Sequence, residues 1–135
     1  MNDKIARLVK EAISARNRAY APYSRFRVGA AVAASGGSIY TGCNVENASY
    51  GLTCCAERVA LFKAVSQGER EFTDIAVVSD SEDFCSPCGA CRQVMAEFGG
   101  HIKVYMCNNR GEYKVKSVSD LLPGSFSLEG HKKLV

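Results

Sequence analysis

Cys55, Cys88 and Cys91, with Glu57 two places beyond the first of them, are the residues of this chain whose types and spacing carry chemistry. They sit in two short stretches, Cys55-Ala56-Glu57-Arg58 and Pro87-Cys88-Gly89-Ala90-Cys91-Arg92, each able to open a helix. Three thiolates and a non-ligating carboxylate are the donor set of a catalytic zinc with its own acid/base. Cys88 and Cys91, three apart at a helix start, share one face of the first turn and can bite a single ion. A helix N-terminus favours thiolate over thiol, because its dipole stabilises negative charge there.

The count of thiols leaves a second arrangement open. Cys54 adjoins Cys55, and Cys85-Ser86-Pro87-Cys88 is itself a C-x-x-C, so a fourth thiolate would close the tetrahedron and make the zinc structural. A metal-free dithiol redox protein is a further reading of the same C-x-x-C. Glu57 tilts the choice toward catalysis. On a helix it points roughly 200° away from Cys55, where it can reach the mouth of a site ahead of the helix without ligating. Taken alone it would be a commonplace first-turn acid. Arg58 and Arg92 are ordinary surface residues unless they hydrogen-bond the sulfurs, in which case they offset the excess negative charge of three thiolates. Cys43 and Cys107, within strands, read as small buried hydrophobes.

The elements that must position these residues follow from periodicity. Ile5, Leu8, Val9, Ala12 and Ile13 recur at helical spacing, predicting an amphipathic helix over residues 3–19. Residues 27–34 and 38–43 form a hairpin around Ser35-Gly36-Gly37, and Gly29-Ala30-Ala31 leaves room for backbone or a ligand to approach closely. Residues 44–53 are a loop. Thr53 is the expected N-cap of the next helix, which ends near Gly68 and whose Val59, Ala60, Phe62, Ala64 and Val65 look buried on more than one side. Ile75-Ala76-Val77-Val78 centres a strand at 73–79 in a parallel, doubly covered position.

Ser86 then caps a helix with Pro87 in its first position, running to Phe98. Residues 101–107 and 112–118 form a second hairpin, Ser119-Asp120-Leu121-Leu122 reads as a capped turn, and residues 125–135 have little pattern apart from Phe126. Five strands with interleaved helices predict a single α/β domain over 1–135, a three-layer α/β/α architecture with a mixed sheet.

A chain of 135 residues buries about two thirds of its unfolded surface, so a core forms without staples. Its 47% hydrophobic and 23% charged residues are ordinary for a globular protein, and no apolar run approaches the roughly 20 residues of a membrane span. Charges interrupt residues 1–18, unlike a signal peptide, which points to the cytoplasm. The net charge of +3 is dispersed, without the basic patch of a nucleic-acid binder. Seven cysteines, an odd number, fit metal binding better than a disulfide framework.

With both cysteine stretches in place, the chain resembles the small, homotetrameric, zinc-dependent type of the cytidine and deoxycytidylate deaminase family. The resemblance covers nearly the whole length. It includes Tyr20-Ala21-Pro22-Tyr23-Ser24, Phe26-Arg27-Val28-Gly29-Ala30-Ala31, Asn44-Val45-Glu46-Asn47-Ala48 and Leu121-Leu122-Pro123-Gly124-Ser125-Phe126. It implies hydrolysis of cytidine and 2′-deoxycytidine to uridine and 2′-deoxyuridine plus ammonia, in pyrimidine salvage. It also implies one zinc per subunit on Cys55, Cys88 and Cys91, with Glu57 as the proton shuttle and Arg58 offsetting thiolate charge. Asn44 and Glu46 would then bond the ribose hydroxyls, Phe26 would pack on the pyrimidine, and backbone around Ala56 would read the base edge. Tyr50 and Phe126 match positions that reach a neighbouring subunit's site, so the implied assembly is a homotetramer with active sites at its interfaces. A relative acting on a nucleoside analogue or free base is the runner-up. An amide and a carboxylate suit a diol, because together they offer a donor and an acceptor.

Overall fold

The computed structural model describes residues 3–128. Helix α1 (Asp3–Arg16) precedes a hairpin of β1 (Val28–Ala34) and β2 (Ile39–Cys43), and a 3-10 turn at Tyr50–Leu52 leads to α2 (Ala56–Ser66). Strand β3 (Phe72–Ser79), α3 (Gly89–Phe98), β4 (Lys103–Cys107), β5 (Tyr113–Ser117) and the short α4 (Val118–Leu121) complete it. The five strands lie in the order β2-β1-β3-β4-β5. β3 is parallel to β4, whereas β1–β2, β1–β3 and β4–β5 are antiparallel. The parallel position expected for residues 73–79 therefore holds on one side only. A crossover through α3 makes β4 run with β3, while β1 meets β3 head to tail.

Strand alternation sorts the core into two halves. Ala31 and Ala33 of β1, with Ala76, Val78, Tyr105 and Cys107, pack under Ile5, Leu8, Val9 and Ala12 of α1. Ala30, Val32 and Ala34 face the other way, with Ile75 and Val104, against Ala60, Leu61 and Ala64 of α2 and Cys91 and Met95 of α3. The sheet is thus covered on both faces, as an α/β/α architecture requires. Two glycines set how closely the helices lie. A methyl at Gly29 would strike the backbone of Ala12 and Arg16 in α1, and one at Gly42 would lie 2.5 Å from the Ala60 nitrogen and 2.6 Å from the Ala56 carbonyl oxygen. Both helices rest on the sheet at positions where only a hydrogen fits.

Several local expectations are corrected. α1 ends at Arg16 because the amides of Asn17, Arg18 and Ala19 bond three residues back, tightening the last turn into a 3-10 form. α2 is capped by Cys55 instead of Thr53, whose hydroxyl accepts from the Asn47 amide at 3.1 Å and so belongs to the loop. α3 begins at Gly89, with Cys88 as its cap, and Ser86 and Pro87 precede it outside the helix. Ser117, through its hydroxyl on the Asp120 amide, caps α4 in place of Ser119. Phe62 is half exposed, since the inward face of α2 is Ala56, Glu57, Ala60, Leu61 and Ala64. Of the tail, residues 129–135 lie outside the described residues.

Candidate active site

The starts of α2 and α3 meet over the sheet, and what they bring together are the three thiols. Cys55 Sγ lies 3.7 Å from Cys88 Sγ, Cys88 Sγ lies 3.4 Å from Cys91 Sγ, and all three sulfurs fall within 4.8 Å of one another. Sulfurs about 2.3 Å from a tetrahedral ion sit about 3.8 Å apart, so this cluster has the size of a zinc-ligand set. Among the described residues neither Cys54 nor Cys85 joins it. The backbone of Cys54 pairs with Val45 in both directions, and the Cys85 amide is tied to the Cys107 carbonyl at 2.9 Å, which holds the extra thiols in neighbouring segments. A three-thiol set leaves a fourth position, as catalytic sites do and closed structural ones do not.

Cap geometry explains why cysteine can serve here. Both Cys55 and Cys88 adopt the extended backbone of an N-cap, so their side chains point back over the first turn. The Cys88 sulfur accepts from the Cys91 amide at 3.4 Å, taking the part a Ser or Asp oxygen usually plays. Cys91 is fully buried in that turn. Hydrogen bonding from Cys91, reinforced by Arg58 and Cys88, pulls the Cys55 thiol down, and the same contact pushes Cys91 up. Arg58 donates from its Nη2 to Cys55 Sγ at 3.3 Å, and the thiols in turn hold its guanidinium charged. Its Nε is buried without a hydrogen-bond partner.

Arg92 has a different task. It donates to the Pro87 carbonyl at 2.8 Å, the Leu121 carbonyl at 2.9 Å and the Ser86 hydroxyl at 2.7 Å, clamping the segment before α3 to the end of α4. Of the two arginines considered for the sulfurs, only Arg58 reaches them.

Glu57 is 4% exposed, on the inward face of α2. Burial, with the charge of Cys55 adding to it, raises its carboxyl to about 7. It shares a cleft of about 280 Å³ with Phe26, Val28, Asn44, Glu46, Ala56 and the Cys55 and Cys88 thiols. The cleft thus brings thiol and carboxyl together with Phe26, the Asn44 amide and a second carboxylate. Asn44 accepts from the Val28 amide and donates to the Phe26 carbonyl, both at 2.8 Å, which fixes the segment bearing Phe26. Each end of its amide keeps one further bond to give. Tyr50, 77% exposed, lines an adjoining cleft with Tyr23, Ser24, Glu46 and Thr53. Phe126 is 70% exposed and touches neither cleft, its carbonyl accepting from Gln93 Nε2 at 3.1 Å. Sequence reasoning did not assign Ser24, Val28, Thr53 and Ser86, which also line these clefts. Ser24 and Val28 carried a signal, as parts of the stretches that make up the resemblance.

Comparison with known proteins agrees with this site. The sequence model of the cytidine and deoxycytidylate deaminase zinc-binding region matches residues 2–108. A cytidine deaminase of Halalkalibacterium halodurans is 58% identical over 123 residues, covering 90% of this chain and 93% of that protein. One from Sporosarcina psychrophila is 54% identical over 126 residues, covering 93% of each. The crystal structure of the cytidine deaminase from Burkholderia pseudomallei superposes with a TM-score of 0.87 at 50% identity, covering 93% of this chain and 100% of that one.

Proposed function

The chain belongs to the cytidine and deoxycytidylate deaminase family, and from that premise we propose that it hydrolyses cytidine and 2′-deoxycytidine to the uracil nucleosides and ammonia, in pyrimidine salvage. One observation carries the reading. A three-thiol cluster of zinc-ligand size presents Cys55 and Cys88 to the same nucleoside-sized cleft as a buried carboxyl. Cys55, Cys88 and Cys91 would hold the zinc, which when bound supplies a Lewis acid that activates water at neutral pH.

The chain's own residues account for the rest. Glu57, with a carboxyl raised to about 7, can both take a proton from the attacking water and hand it on at neutral pH. It delivers that proton to N3 of the pyrimidine as the hydroxyl adds at C4, then takes the proton of that hydroxyl and gives it to the amine as the C4–N bond breaks and ammonia leaves. Arg58 offsets the excess negative charge of three thiolates and keeps them from quenching the metal. Phe26 offers the base an apolar face, and the backbone at Ala56, the first residue of α2, faces the cleft where the base edge would lie. Asn44 and Glu46 supply a donor and an acceptor to the sugar, which supports a ribonucleoside over a free base.

The assembly we propose is a homotetramer in which Tyr50 and Phe126 reach a neighbouring subunit's cleft. Large apolar side chains left exposed support it: Tyr50, Leu52, Phe62, Phe126 and Leu128 are each at least half exposed. Sedimentation should then give four times the chain mass. The compartment we propose is the cytoplasm, a reading supported by seven unpaired cysteines. No described helix is long and apolar enough to cross a membrane.

The deciding assay follows cytidine absorbance with matched uridine and ammonia, before and after chelation. Turnover that disappears with the metal and returns with zinc is the expected result. Turnover that persists without metal would remove the catalytic assignment.

A further inference from the structure

The segment between Tyr23 and Phe26 is folded around a single carboxylate. Glu46 Oε1 accepts from the Tyr23 amide at 2.9 Å and the Ser24 amide at 3.2 Å, and Glu46 Oε2 accepts from the Ser24 hydroxyl. The same hydroxyl accepts from the Phe26 amide at 3.0 Å. Between them Arg25 holds a left-handed conformation, φ 59°, the one positive φ among the described non-glycine residues. A non-glycine residue keeps that conformation only where its surroundings over-determine it. Here the Arg25 amide is tied to the Ala21 carbonyl, and both flanking residues are tied to Glu46 and Ser24.

The lone pairs of Glu46 can be counted. Two amides use both sites on Oε1, and the Ser24 hydroxyl takes one of the two on Oε2. One acceptor site remains on the carboxylate. Ser24 lines both clefts that flank Glu46, so its hydroxyl stands at the place where Glu46 would meet a ligand. We infer that Ser24 is a positioning residue: its hydroxyl locks the Glu46 carboxylate so that its one free acceptor site receives a single sugar hydroxyl. The inference rests on the proposed sugar-binding role of Glu46. It adds that Glu46 is not a free carboxylate able to chelate both hydroxyls. Ser24 holds it to one, and the second falls to the remaining amide proton of Asn44.

The consequence is selective for the sugar. Without the Ser24 hydroxyl, Glu46 Oε2 loses its protein donor and the sugar contact loses orientation, while the two amides on Oε1, Glu57 and the thiols are untouched. Ser24→Ala should raise KM for cytidine by about tenfold, the loss of one charge-assisted bond, and leave kcat within about twofold. Any disturbance passed to Phe26 acts on the base and weakens all pyrimidine nucleosides alike. The discriminating measurement is therefore the ratio of cytidine to 2′,3′-dideoxycytidine, the latter measured as substrate or competitive inhibitor.

In Ser24→Ala that ratio should fall about tenfold, and Ser24→Thr, which keeps the hydroxyl, should restore it. Glu46→Gln is run alongside. If Glu46→Gln lowers the ratio but Ser24→Ala weakens both ligands equally, Ser24 is merely structural and the inference is overturned. If Glu46→Gln leaves the ratio unchanged, the sugar-binding reading falls and the inference falls with it. Ser24 is exposed and sits outside the core, so the alanine variant keeps the fold.

Discussion

Glu57 and Arg58 are neighbours on one helix turn with opposite surroundings, and each supports its own prediction. Glu57 is buried with its carboxyl raised to about 7, the property a group that both takes and gives protons near neutrality requires. Replacing it by the isosteric Gln should leave zinc content at one per chain, measured by elemental analysis, and lower kcat by about a thousandfold. Full turnover in that variant would remove Glu57 from the chemistry. Arg58, partly buried, donates to the Cys55 sulfur. Arg58→Ala should lower zinc affinity or kcat by about 10- to 100-fold, read by competition with a chromogenic chelator and by steady-state rates. The acid and the thiols were legible in the sequence as two local spacings, Cys55 with Glu57 and Cys88 with Cys91, though not as one cluster. The duty of Arg58 was legible too, since its sulfur partner Cys55 lies three residues back in the same stretch, whereas that of Arg92 was not, because one of its contacts runs across 29 residues to Leu121.

At the level of elements, the zinc site depends on where α2 begins. That start is set from two sides: Cys55 caps the helix, and Gly42 of β2 lets its first turns lie directly on the sheet. Gly42→Ala would place a methyl against the Ala56 carbonyl and the Ala60 amide, and backbone cannot swing aside as a side chain can. We expect a stability loss of about 1–3 kcal/mol, the usual cost of overpacking, in chemical denaturation. Activity should fall further than stability alone explains, because the displaced turn carries Cys55 and Glu57. Helix and strand periods made all five strands and the main helices readable, and the glycine of β1 already signalled close approach. Helix starts were read too early at both sites. Thr53 and Ser86 are better caps by intrinsic preference, yet Thr53 is held by Asn47 and Ser86 by Arg92, leaving the caps to the cysteines.

Over the whole molecule, one carboxylate joins three separate parts of the chain. Asp80, at the end of β3, accepts from the Arg27 amide at 3.2 Å and from its guanidinium at 3.0 and 3.1 Å, and lies 3.7 Å from Arg16 at the end of α1. Hydrogen bonding from Arg27 holds its carboxyl below the usual range. A carboxyl lowered in the folded state adds stability above its unfolded value of about 3.9 and loses it as pH falls through the folded value. Asp80→Asn should therefore lower Tm modestly at neutral pH, and the gap to the parent should close below about pH 4 in thermal scans. A gap that persists in acid would mean that packing, and not charge, holds these ends together. High salt should also narrow it, since the pair is partly exposed.

The sequence by itself determined the candidate thiols, the carboxyl beside them and the order of helices and strands, because those depend on residue type and on spacing within one turn or one strand. Tertiary structure alone decided that two helix starts 33 residues apart bring their sulfurs within 3.7 Å. It also decided that Cys54 and Cys85 stay out of the cluster, and that Ser24, Arg25 and Phe26 fold around Glu46. These are outcomes of which backbone segments pack together, and no local pattern contains the partner a segment will meet.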